Sequence, residues 1–219
     1  MTRTKLRQRR LPRYSTGEEI ANMVTHITGG AMALVVLTLC LLKAEGPAAV
    51  IGCLIYGLSM LLVYTISSVY HGLHPGTAKK VLQVLDHCAI YFLIAGTYTP
   101  IMLCGFVPMY PVIGWGLLAA QWGLLTLAVT LTAIDLKRYN AFSMVCYILM
   151  GWGIIIFLPQ ALTCLNGGFA WILAGGITYT IGAILYGIGA KKPWFHSIFH
   201  IFVLLGRFLQ FLGIYLHIL

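Results

Sequence analysis

The sequence predicts an all-α, polytopic membrane protein: a seven-transmembrane helix bundle with its N-terminus in the cytoplasm and its C-terminus outside. Three observations predict it. Of 219 residues, 60% are hydrophobic and only 9% are charged, against roughly 25% charged in an ordinary soluble domain. So few charges cannot clothe a water-facing surface, so the solvent around most of this chain is lipid. The mean hydropathy of +0.91 agrees. The apolar residues also come in long unbroken runs, close to the roughly 20 residues that cross a hydrocarbon core as a helix. A spanning barrel would instead show short alternating segments. Finally, basic residues gather in every second connection, as they do in multi-pass proteins.

The first run, 20–42, follows a basic tail and ends at KAEGPA. No small-residue cleavage site follows it, so it reads as a retained helix rather than a removed signal peptide. Run 49–70 leads into HGLHPGTAKK, 81–103 into CGFVPMY and 111–133 into IDLKRYN. Run 141–163 leads into TCLNGG and 169–190 into AKKPWF, and 196–218 is the last. The Gly, Pro and Asn of these connections are helix breakers. Pro100 and Pro159 sit late in their runs and predict kinks or helix ends there. Gly175, Gly176, Gly182, Gly187 and Gly189 predict close helix packing by the sixth run. The aromatic residues are expected mostly against lipid or in interfacial belts. Two parts follow: residues 1–17 as a basic cytoplasmic tail, expected to be flexible, and 18–219 as the seven-helix domain.

The formal charge of +9 is distributed as a topology signal, so it implies no nucleic-acid partner; membrane lipids are the expected partners, and self-association is left open. Arg3, Lys5, Arg7, Arg9, Arg10 and Arg13 lie in the tail. The pairs Lys79-Lys80, Lys137-Arg138 and Lys191-Lys192 lie in the second, fourth and sixth connections. Together these hold twelve of the fourteen basic residues, and the opposite connections contribute Lys43 alone. The positive-inside rule then places the N-terminus in the cytoplasm and requires an odd number of spans. The six scattered cysteines, Cys40, Cys53, Cys88, Cys104, Cys146 and Cys164, form no CxxC pair. They read as small packing residues.

Ionisable residues inside membrane helices are costly and are functional candidates by default. Glu18, Glu19, Asn22 and His26 begin the first run, and Ser67 and His71 end the second. Asp86 and His87 begin the third, and His196 and His200 begin the seventh. The topology brings all four ends to the same membrane face. His196 and His200 stand one helical turn apart on one face, where two imidazoles can share a metal ion. His71 adds a third nitrogen. Asp86 is then either a fourth ligand or the group that holds a water at the open position. Zinc suits these ligands, and iron, manganese and cobalt remain compatible. A lone interfacial histidine more often hydrogen-bonds a neighbouring helix, and HxxxH alone arises by chance, so the argument rests on the convergence. His74, Glu45 and Asp135 are expected to be solvated loop residues and His217 a surface residue. His87 is expected to face away from Asp86, and Arg207 needs a partner or a water path.

The segments GEEIANMVTH (17–26), SSVYHGL (67–73), LDHCAIYFLIAGTYTP (85–100) and PWFHSIFHIFVLLG (193–206) together resemble the hemolysin III proteins of bacteria. These are the prokaryotic branch of the progestin and adiponectin receptor family. The resemblance runs from Glu18 to the C-terminus. It implies seven helices, a cytoplasmic N-terminus and a bacterial inner membrane. It also implies a zinc ion held by the residues matching His71, His196 and His200. The residue matching Asp86 is placed at the water on the zinc, with the one matching Ser67 beside it. The wider superfamily includes alkaline ceramidases and suggests hydrolysis of a lipid amide. Where relatives carry a further histidine ten residues past HxxxH, this chain has Gln210.

The expectation is therefore a zinc-binding membrane hydrolase of a lipid amide or ester, with Asp86 and Ser67 catalytic and His71, His196 and His200 on the metal. Two alternatives stand beside it: a sensor of membrane state with structural zinc, and a cytolytic pore.

Overall fold

The computed structural model describes residues 6–189 and 192–219; Arg3, Lys5 and Lys191 lie outside the described residues. Seven helical spans account for nearly all of it: Thr16–Lys43, Gly46–Gly72, Thr77–Phe106, Pro111–Ile134, Asn140–Cys164, Gly168–Gly189 and Phe195–His217. No strand occurs among the described residues. The protein is a seven-span membrane bundle, and its outer face is apolar in the way lipid requires. Leu42, Val112, Ile156 and Ile188 are all well exposed on it.

Local chemistry sets the helix ends. Ser15 caps the first span by accepting from the Glu18 backbone N–H, and the Glu18 carboxylate returns a bond to the Ser15 N–H. Such a reciprocal cap contributes about 1 kcal/mol. Proline occupies the first turn of the second and fourth spans, where its missing N–H costs nothing. Late in the third span, Pro100 ends the regular α-helix, and Ile101–Phe106 continues as a π-helix. Proline has no N–H to give and crowds the preceding turn; the widened turn re-pairs the backbone. The fifth span breaks in the same way. It runs as α-helix from Asn140–Trp152, tightens to a 3-10 helix over Gly153–Phe157, and restarts as Leu158–Cys164 with Pro159 in its first turn.

The first span packs against both the second and the seventh, and the sixth packs along the seventh. Gly175 and Gly182 make that last contact possible. A Cβ on Gly175 would meet the Gly206 carbonyl at 2.8 Å, and one on Gly182 would meet the Phe202 Cβ at 2.7 Å. Gly176 and Gly187 face away and touch nothing closer than 4.0 Å, so they play no part in that packing.

Two further expectations are corrected. Tyr56, Tyr64 and Tyr91 are fully buried in the bundle rather than lipid-facing, and the Tyr91 hydroxyl meets that of Thr132 at 3.3 Å. Asp135 is buried at 2% exposure, turned in to accept from the Arg138 backbone N–H. The first span begins at Thr16, and Arg9, Arg10, Pro12 and Tyr14 line the large cavity described next. All six cysteines are free.

Candidate metal centre

Four helix ends meet at one end of the bundle. The second span carries Ser67 and His71 in its final turns, and the third carries Asp86 and His87 in its first half. The first and seventh spans contribute their opening turns. Glu18 sets the depth of the seventh span, because its carboxylate accepts from the Trp194 backbone N–H at 2.6 Å. Trp194 holds a left-handed conformation, φ 68°, to make that bond. Such a conformation is uncommon for a bulky residue. Ser197 then donates to Asn22 at 2.6 Å. Residues 18 and 22 of the first span therefore lock the turn that presents His196 and His200.

Three imidazoles converge. The Nε2 atoms of His71 and His196 lie 3.3 Å apart, and those of His196 and His200 lie 3.0 Å apart. One ring nitrogen from each lies within 4.8 Å of the other two, close enough to share a metal ion. Two of the three outward nitrogens are held by acceptors, while His196 Nδ1 is buried without a partner. His71 Nδ1 lies 2.7 Å from Glu19 Oε2 and His200 Nδ1 lies 3.3 Å from the Asn22 carbonyl. A carboxylate and a carbonyl accept only, so both Nδ1 atoms carry the proton and both Nε2 atoms present bare lone pairs. A single proton on His196 Nε2 cannot serve two lone pairs, whereas a cation serves all three nitrogens. A tetrahedral centre with metal–nitrogen bonds of about 2.0–2.1 Å sets its donors about 3.3–3.4 Å apart. The observed spacing fits a metal, and the outer hydrogen bonds are those that metal-binding histidines normally make.

Sequence reasoning missed the partners that hold these ligands. Glu19 bridges His71 to Lys79, whose buried Nζ also caps the end of the second span at the Leu73 carbonyl, 2.9 Å away. The signal was present: 19, 22 and 26 share one helix face, and an acid at the head of an apolar helix is costly. Tyr14 was also missed; its ring stacks on His196 at 4.9 Å and 22°. His26 stacks flat on His200 at 3.8 Å, with both ring nitrogens buried and unpartnered.

A cavity of about 670 Å³ opens beside the three histidines, and Ser67, Asp86, His196 and His200 line it. Asp86 is not among the residues whose ligand atoms converge. It faces Ser67 and His71, yet the buried Ser67 hydroxyl completes no hydrogen bond. His87 does not turn away: it lines the same cavity, with Nδ1 2.8 Å from the Gln83 carbonyl. His74 and His217 are exposed, as expected.

Residues 14–211 match the family described as Haemolysin-III related. "Hemolysin-3" of Bacillus cereus is 39% identical over 206 residues, 92% of each chain. "Hemolysin-3 homolog" of Bacillus subtilis (strain 168) is 36% identical over 202 residues, 90% of this chain and 93% of that one. A more distant relative, "Adiponectin receptor protein" of Drosophila melanogaster, is 26% identical over 167 residues, covering 64% of this chain and 36% of its own. The chain belongs to the hemolysin III family, and the adiponectin receptors are its more distant relatives.

Proposed function

We propose that this protein is a zinc-dependent hydrolase of the cytoplasmic membrane that cleaves an amide or ester bond in a lipid. One observation carries the reading. Three imidazole nitrogens converge beside an apolar cavity, whose wall also presents a carboxylate and a hydroxyl. An open site with three protein ligands is the catalytic pattern for zinc, whereas structural sites are closed by a fourth.

His71, His196 and His200 would hold the ion. When bound, zinc supplies a Lewis acid that brings the acidity of water close to neutral pH. Asp86 orients the attacking water and takes its proton as general base. The Ser67 hydroxyl, which lies beside Asp86, donates to the carbonyl oxygen as negative charge develops on it. The ring of Tyr14 covers His196 and limits access of bulk water at the mouth. The lipid chain fills the apolar part of the cavity, and its head lies at the basic, cytoplasmic face.

The test begins with elemental analysis of the purified protein, which should show about one zinc per chain. Ceramides and lysolipids are then supplied, and release of free fatty acid is measured. Turnover should vanish in His196→Ala and fall by two orders of magnitude or more in Asp86→Asn, a typical contribution of a general base. Chains without stoichiometric metal, or product formation indifferent to both substitutions, would sink the reading. A structural role for the ion has its own support, since the ligands tie the second span to the seventh. Metal-bound protein that cleaves none of these lipids but unfolds on chelation would establish that role instead.

A further inference from the structure

Arg207 lies at the midpoint of the seventh span and is 1% exposed. It stands seven residues beyond His200, so it occupies the same helix face roughly 10 Å deeper. His196, His200, Val203, Arg207 and Gln210 form one stripe along the cavity wall. The guanidinium donates to Thr97 Oγ1 and to the Leu93 carbonyl, and it lies over the Tyr56 ring. No carboxylate pairs with it among the described residues. Its Nε is buried without a well-formed hydrogen bond, and the hydroxyls of Tyr56, Tyr64 and Tyr179 lie around it with no acceptor for their O–H groups, since a guanidinium only donates. A buried cation with no counter-charge is strongly unfavourable. Here it is accompanied by unused donors, and two of the groups bearing them, Arg207 and Tyr179, line the cavity.

We propose that this deep end of the cavity binds the carboxylate of a single-chain amphiphile, with Arg207 as the counter-ion and Tyr179 as a second donor. One positive charge neutralises one negative charge, which favours a monoanion over a phosphate dianion. The cavity of about 670 Å³ has mainly apolar walls, including Ile94, Ile101, Ile154 and Ile172. They suit an alkyl chain and offer little to a small hydrated anion. Tyr179 is held in place by packing directly on Gly206, 3.0 Å from where a Cβ would stand. The proposal requires neither turnover nor a metal, so it stands or falls apart from the hydrolase reading.

The experiment compares palmitate, methyl palmitate and acetate by calorimetric titration into the full-length protein in detergent. Palmitate should bind about tenfold or more tightly than its methyl ester, the usual margin for hydrogen bonds to a charged group. Arg207→Gln should erase that margin, while His196→Ala should keep it. Because Arg207→Gln can disturb folding, Tyr179→Phe serves as the milder variant: palmitate should weaken several-fold and the ester not at all. Equal binding of acid and ester by the unaltered protein would overturn the proposal. So would a margin that survives Arg207→Gln but disappears in His196→Ala, since the carboxylate would then sit at the histidines. Acetate that displaces palmitate at equal concentration would show a small-anion pocket and refute the amphiphile.

Discussion

At the scale of single residues, the centre depends on groups that hold the histidines as much as on the histidines. Glu19 fixes the His71 ring through Nδ1 at 2.7 Å and is itself held by Lys79 at 2.7 Å. Glu19→Gln keeps the size of the side chain but removes its charge, and an amide can turn its N–H₂ toward Nδ1 and favour the wrong tautomer. Loss of such an outer partner typically costs 10–100-fold in metal affinity. Competition against a fluorescent chelator should show a weakening in that range. His74→Gln, at an exposed loop position, should change nothing. A Glu19→Gln protein with unaltered affinity would mean that His71 is not oriented by this bond. His71, His196 and His200 were legible in the sequence because helical spacing and the charge count place them on one face and at one depth. Glu19 and Asn22 were legible only as costly polar residues. Which imidazole each one holds depends on the rotation of the first helix between the second and seventh, and no local pattern states that.

At the scale of elements, the spans were legible within a few residues, because lipid demands a continuous apolar run and breakers punctuate it. Their inner faces were less so. The sixth helix offers glycines on more than one side: of the five expected to pack closely, Gly175, Gly182 and Gly189 meet the seventh helix, and Gly176 and Gly187 do not. The three that meet it stand seven residues apart, two turns on one stripe, whereas Gly187 falls elsewhere. Gly175→Ala drives a methyl group toward backbone, the Gly206 carbonyl at 2.8 Å, and overpacking of this kind costs about 1–3 kcal/mol. Gly187→Ala meets open space and relieves the entropy of a helical glycine, worth about 0.4–1 kcal/mol. Thermal unfolding in detergent should therefore move down for the first and level or up for the second. The reverse order would mean that the two helices do not cross where Gly175 meets Gly206. The crossing also matters for the cavity, since the Gln210 side chain stands over Gly175 at 2.5 Å from its ideal Cβ.

At the scale of the whole molecule, the bundle gathers its expensive polar groups at one end, apart from Arg207 at mid-depth, and leaves the opposite end plain. There, Lys43 Nζ donates to the Tyr215 carbonyl and Glu45 is exposed. The basic connections lie at the histidine end, so the positive-inside rule predicts that this end faces the cytoplasm. A reporter active only in the cytoplasm should then work at the N-terminus and fail at the C-terminus. The histidine cluster adds a second whole-molecule property, because its ligands come from the second and seventh spans while the first span lies against both. A metal that binds only the folded state stabilises it by mass action, about 4 kcal/mol when present at a thousand times its dissociation constant. For a chain of this size about 1 kcal/mol moves the midpoint by roughly 2–4 °C. Chelation should lower the Tm by roughly 8–16 °C on that basis, and restoring zinc should recover it. His200→Ala should start at the lower value and respond to neither treatment. Removal of metal without any change in Tm would show that the cluster binds an ion without bracing the bundle, leaving chemistry in the cavity as its role.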